Sequence, residues 1–87
     1  METIYKYEFN INSIGILTMP KGAKPLAVQL QNSKPCLWAE VDIRKDSVER
    51  ILRIFSTGYP VDTYGRTYVG TIQIDEFVWH CYLNDEY

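Results

Sequence analysis

The chain has 87 residues, a formal net charge of −2, 46% hydrophobic and 14% aromatic residues, and two cysteines. That length holds one domain, residues 1–87, with one modest core. The charge balance lacks the basic patch that binding to duplex nucleic acid requires. No apolar run approaches the roughly 20 residues of a membrane-spanning helix, and Glu2, Lys6 and Glu8 break up the start of the chain, so no membrane segment or signal peptide is read. The expectation is a cytoplasmic protein whose Cys36 and Cys81, far apart and without metal-like spacing, are reduced thiols.

Thr3–Phe9 alternates with period two. Tyr5, Tyr7 and Phe9 fall on one face and Ile4, Lys6 and Glu8 on the other, which predicts a half-exposed first strand. Asn10 and Asn12-Ser13 mark a turn. Gly15–Met19 is a short second strand closed by Pro20, and 21–25 reads as a loop. Residues 26–31 and 35–42 alternate on either side of Asn32-Ser33, the pattern of a hairpin. Pairing Gln31 with Lys34 sets Val28 opposite Leu37 and Ala27 opposite Trp38. One face is then aliphatic, and the other carries Gln29, Gln31, Cys36, Trp38 and Glu40.

Asp46-Ser-Val-Glu49 fits a capping box, which allows one short helical turn near 46–50. Residues 50–56 form a fifth strand, with Leu52 and Ile54 inward and Ile51, Arg53 and Phe55 on the opposite face. Gly58, Pro60, Asp62 and Gly65 punctuate the longest loop, 56–66. Thr67–Ile74 is a sixth strand, in which Gly70 marks a bulge or the close approach of another backbone. Asp75-Glu76 turns into a seventh strand, 77–83, apolar on both faces as central strands are. The acidic end, 84–87, is expected to fray. Seven short strands at this spacing predict an all-β fold, a small antiparallel β-sandwich or barrel. Its edges need protection, which charges such as Lys6 and Glu8 can supply.

Several stretches together resemble a family of short tailed-phage proteins. They are Thr3-Ile-Tyr-Lys-Tyr7, Met19-Pro-x-Gly-Ala23, Val28-Gln-x-Gln31, Pro35-Cys-Leu-Trp-Ala39 and Val41-Asp42. Arg53-Ile-Phe-x-Thr-Gly-x-Pro60, Tyr68-x-Gly-Thr-x-Gln73 and Val78-x-His80 complete the set, which spans nearly the whole chain in order. Part of that group is similar to sponges that sequester the cyclic nucleotide signals of bacterial antiphage defence. The resemblance implies a homo-oligomeric binding protein, acting in the infected host cell without catalysis and without a cofactor.

The candidate ligand residues each carry two readings. Trp38 can stack on a base while Gln29 and Gln31 read its edge, or it can cover core or a subunit interface. Arg53 can clamp a phosphate, or pair with Glu40 or Asp42. Thr57, Gly58 and Tyr59 can present amides and a hydroxyl to a phosphate, or form an ordinary loop. His80, the one histidine, is a core residue, a ligand contact or a catalytic base. No hydrolase signature surrounds it, no residue stands out as catalytic, and the acids show no metal-like cluster. Capture of a small nucleotide, such as a cyclic dinucleotide, leads these readings. Occlusion of a host protein through the Trp38 face and cleavage of a signal by a phosphodiesterase are the alternatives.

Overall fold

The computed structural model describes residues 1–11 and 14–86; the expected turn at Asn12-Ser13 and the terminal Tyr87 lie outside the described residues. Seven antiparallel strands run in chain order: β1 (Glu2–Glu8), β2 (Ile14–Pro20), β3 (Lys24–Gln31), β4 (Lys34–Asp42), β5 (Ser47–Ser56), β6 (Arg66–Ile74) and β7 (Phe77–Asn84). They form a three-stranded sheet of order β1-β4-β3 and a four-stranded sheet of order β2-β5-β7-β6. Leu37, Ala39 and Val41 of the first sheet meet Leu52, Ile54, Cys81 and Leu83 of the second in one buried core. The all-β sandwich is therefore the fold, and the apolar β7 is a central strand of its sheet.

The β3–β4 hairpin has the expected register, Gln31 with Lys34, Val28 with Leu37 and Ala27 with Trp38. Asn32 and Ser33 both take positive φ, 51° and 68°. A two-residue loop of that hand matches the twist of paired strands, which fixes the alternation of both strands at once. A bulge between Pro25 and Ala27 bends the start of β3.

Two expectations are corrected. The capping-box stretch forms no helical turn: Ser47 already pairs with Pro20, and Val48–Glu49 continue the ladder with β2. A β partner for every residue outweighs one local cap. Nor does the acidic end fray through residues 84–86. The Glu86 carboxylate accepts from the Gly22 amide at 2.8 and 3.0 Å, and Thr67 donates to Asp85 at 2.7 Å. The Asp85 amide donates to the Gly65 carbonyl at 2.8 Å.

Gly70 does both things asked of it. The ladder slips between Tyr68 and Gly70, and a Cβ at Gly70 would stand 2.9 Å from Val28 Cβ and 3.1 Å from the Val28 backbone nitrogen. The missing side chain lets β6 close against β3 and joins the two sheets along one side.

Candidate functional site

The sandwich separates the residues proposed for one site into two groups. Trp38 alternates with the buried Leu37 and Ala39, so it lies on the outer face of the three-stranded sheet, half-buried, with Gln29 and Gln31 exposed nearby. Lys6 donates to Gln31 Oε1 at 2.7 Å across this face. Cys36 shares the face yet is fully buried; as part of the middle strand, it is flanked by Glu8 on one side and Gln29 on the other. Arg53, Thr57, Gly58, Tyr59 and His80 all belong to the other sheet and the loop that follows β5. Within one chain, topology thus parts Trp38 from Arg53, which stand on different sheets.

The second group is compact. Arg53 and Phe55 alternate with the core residues Leu52 and Ile54 and face outward. Their partners across β7 are Tyr82 and His80, and the next strand sets Tyr68 beside Tyr82. The rings of Phe55 and Tyr82 meet edge to face at 5.8 Å, and those of Tyr68 and Tyr82 at 5.5 Å. Such geometry adds attraction beyond the area buried. The Arg53 guanidinium lies over the Phe55 ring, 5.6 Å from its centroid, within reach of a cation–π contact. Its Nε is buried and has no hydrogen-bond partner among the described residues. The expected alternative, an ion pair with Glu40 or Asp42, is not formed: Asp42 is bound bidentately by Arg44 at 3.0 and 2.9 Å. That pairing holds the Asp42 carboxyl well below the usual carboxylate range.

His80 is not a core histidine. It is half-buried on the outer face, with Thr57 Oγ1 2.8 Å from Nε2 and Thr71 Oγ1 3.1 Å from Nδ1. The Tyr68 hydroxyl continues the chain through a bond to Thr71 Oγ1. A neutral imidazole donates through one nitrogen and accepts at the other, so the two threonines take opposite roles. Both nitrogens are occupied by hydroxyls, and among the described residues no carboxylate orients the ring.

Two grooves flank Phe55, Ser56 and Tyr59. One, of about 430 Å3, is completed by Ile11, Arg53, Ile54 and Trp79. It opens where β5 runs on past the last residue paired with β2, Arg53. The other, of about 210 Å3, is completed by Thr57, Gly58, Val61, His80 and Tyr82. The larger falls within the roughly 300–1,000 Å3 range of small-molecule sites. Gly58, at φ 94°, bends the loop beside the smaller groove, and the Tyr59 backbone N–H donates a hydrogen bond to the Ser56 carbonyl at 3.2 Å.

Phe55, Trp79 and Tyr82 enter this site without having been singled out in the sequence. The signal for Phe55 was there, since it alternates in phase with Arg53. Trp79 and Tyr82 lie on a strand apolar on both faces, where periodicity does not tell core from surface. Among the described residues no group of three His, Cys, Asp or Glu side chains is placed to hold a metal ion, and no helix is long and apolar enough to cross a membrane.

The chain belongs to a family described as a domain of unknown function, DUF7352, whose sequence model matches residues 1–87. No curated protein and no solved structure matches the chain.

Proposed function

We propose that this member of the DUF7352 family captures a nucleotide, without cleaving it, in the paired grooves around Phe55 and Tyr59. The observation that carries this reading is Arg53. Its guanidinium lines the larger groove among aromatic side chains, with a buried Nε–H that no described residue accepts. Aromatic faces suit a base, and the terminal nitrogens of the guanidinium fork suit a phosphodiester oxygen, the buried Nε being out of a ligand's reach. The smaller groove shares a wall with the larger and offers the hydroxyl of Thr57 and the ring of His80. Two adjoining grooves suit a ligand with two bases, and a cyclic dinucleotide is the ligand class we favour. The sequence resemblance to phage sponges favours the same class and gives the capture a purpose, withdrawal of an immune signal inside the infected cell. Binding without turnover accords with His80, whose two ring nitrogens face threonine hydroxyls and, among the described residues, no carboxylate.

The test is retention. The purified chain is mixed with a panel of mono-, di- and cyclic nucleotides, freed of unbound ligand, and heat-denatured, and the released ligand is analysed by mass spectrometry. Intact cyclic dinucleotide is expected. Cleaved product would establish an enzyme instead, and no retention of any nucleotide would leave occlusion of a host protein as the better reading.

A further inference from the structure

β1 is bonded to β4 along its whole length, seven consecutive pairs from Glu2–Asp42 to Glu8–Cys36 without a slip. Among the described residues nothing pairs with its other edge. Edge strands in soluble proteins are blunted by charges, proline, bulges or cover, because a regular free edge invites another strand. The other three edges show such devices. β2 ends in Pro20 and contains Gly15, β3 has Pro25 as its second residue and a bulge beside it, and β6 carries the Gly70 bulge and lies against β3. β1 has neither proline, glycine nor bulge; its one device is the charges of Glu2, Lys6 and Glu8, and six of its seven residues are exposed, with Ile4 at 57% and Tyr5 at 44%.

We propose that two copies of this chain join through their β1 edges, antiparallel about a two-fold axis at Ile4, so that the two three-stranded sheets become one continuous sheet. The occupant follows from the charges along β1. With the axis at Ile4, Glu2 of each copy faces Lys6 of the other, Ile4 faces its own copy, and Thr3 faces Tyr5. Opposite charges and a β-branched residue against an aromatic are favourable cross-strand pairs. Moving the axis to Tyr5 sets Glu2 against Glu8, and moving it to Lys6 sets Lys6 against itself. Both place like charges directly opposite, which destabilises a ladder. A one-residue slip without those clashes would turn the apolar set to the wrong face. Only the Ile4 axis satisfies charge and face together over most of the strand.

The surroundings of Glu2 supply a second reason. Within one copy it shares a side-chain hydrogen bond with Glu40, and that bond, followed by the repulsion between the two carboxylates, raises its carboxyl above the ordinary range. Lys24 already offsets part of this within the chain, and the facing Lys6, which is exposed and holds one acceptor, Gln31 Oε1, would add a second cation with donors to spare. The join needs no nucleotide and stands apart from the grooves at Phe55.

Sedimentation equilibrium and oxidative cross-linking test this together, with circular dichroism to confirm the fold of each variant. The parent is expected to sediment at twice 10.2 kDa. Glu2→Lys or Lys6→Glu alone should raise the dimer dissociation constant about tenfold or more, as two favourable pairs become repulsive. The double variant carrying both changes should restore it. Ile4→Cys should form a disulfide-linked dimer on oxidation, because the two side chains meet at the axis, whereas Thr3→Cys should not. Cys36 and Cys81 have no exposed surface and stay out of the reaction. A parent that remains monomeric at high micromolar concentration overturns the proposal. So does a dimer indifferent to the charge reversals and their swap, or one linked by Thr3→Cys and not by Ile4→Cys.

Discussion

The carbonyl oxygen of Asn84 accepts two hydrogen bonds from the buried guanidinium of Arg50, from Nε at 3.2 Å and Nη2 at 3.0 Å. Nη1 donates to the Ala23 carbonyl at 2.8 Å. Arg50 is the one buried charged residue among those described, and it is satisfied by backbone alone. It ties the end of β7 to the turn between β2 and β3, the same turn whose Gly22 amide Glu86 holds. The two contacts close that end of the sandwich.

Removal of Arg50 should therefore cost stability without touching the grooves. Arg50→Ala leaves the Ala23 and Asn84 carbonyls without their charged donor, a loss of about 1.5–3 kcal/mol by the usual worth of hydrogen bonds to charged groups. Arg50→Lys keeps the charge but cannot fork between the carbonyls, and should recover only part of the loss. Urea unfolding of the three proteins measures both. Equal stability for parent and Arg50→Ala would mean that the carbonyls are satisfied as well by water.

Gly70→Ala should destabilise the fold by about 1–3 kcal/mol, the ordinary cost of overpacking. The added methyl would meet Val28 Cβ at 2.9 Å and the Val28 backbone nitrogen at 3.1 Å, and backbone yields less readily than a side-chain tip. Thermal unfolding checks this. A companion change at Gly22, where a Cβ meets nothing within 4 Å but φ is 82°, gives the cost of backbone strain alone, to which Gly70, at φ 157°, adds crowding.

Both thiols should resist modification in the native protein. Burial pushes the Cys81 thiol up to about 11, so at pH 8 far less thiolate is present than at an ordinary cysteine near pKa 8.5. Cys36 is equally inaccessible. A colorimetric disulfide reagent at pH 8 should find no fast-reacting thiol before denaturant and two after it. A rapid reaction in the folded state would show that one of these strands opens readily.

In the candidate site the sandwich makes opposite predictions for two residues first read together. Arg53→Ala and Tyr59→Ala should weaken nucleotide binding, the loss of a base–aromatic contact alone costing about 1–3 kcal/mol, or roughly 5- to 150-fold. Arg53→Ala should also flatten the dependence on salt, because its contribution is to a charge. Trp38→Ala, on the far face, should bind as the parent does. Calorimetry at two ionic strengths distinguishes these. Weakened binding in Trp38→Ala with an intact fold would move the site to the other sheet.

Much of the fold could be read from residues in sequence because the turns carry their own constraints. Asn32-Ser33 dictates a two-residue loop, and once Gln31 faces Lys34 every later pair follows. Gly70 could be read as a close approach because few other reasons place glycine mid-strand. The face of the sheet on which a side chain emerges was equally legible, for Trp38 as for Arg53. What alternation does not encode is which sheet a strand joins. Trp38 and Arg53 each stand opposite the core, yet β4 and β5 belong to different sheets, so "outward" means opposite directions in space. The end of the chain failed for another reason. Asp85 and Glu86 look solvated by composition, but their partners, Thr67, Gly65 and Gly22, lie far away in sequence.

The seam at Gly70 joins β3 and β6 along one side only, and β1 and β2 make no comparable approach on the other. Such a sandwich should breathe as a book does, bound along one spine. Local openings of low free energy would begin at the fore-edge and admit solvent to Tyr7, whose buried hydroxyl has no partner among the described residues, while the amides of β7, bonded on both sides, exchange last. Hydrogen exchange would therefore run as a gradient from β1 inward. Pairing of β1 with a second strand would remove the fast end of that gradient, and so give the protein a different rhythm in company than alone.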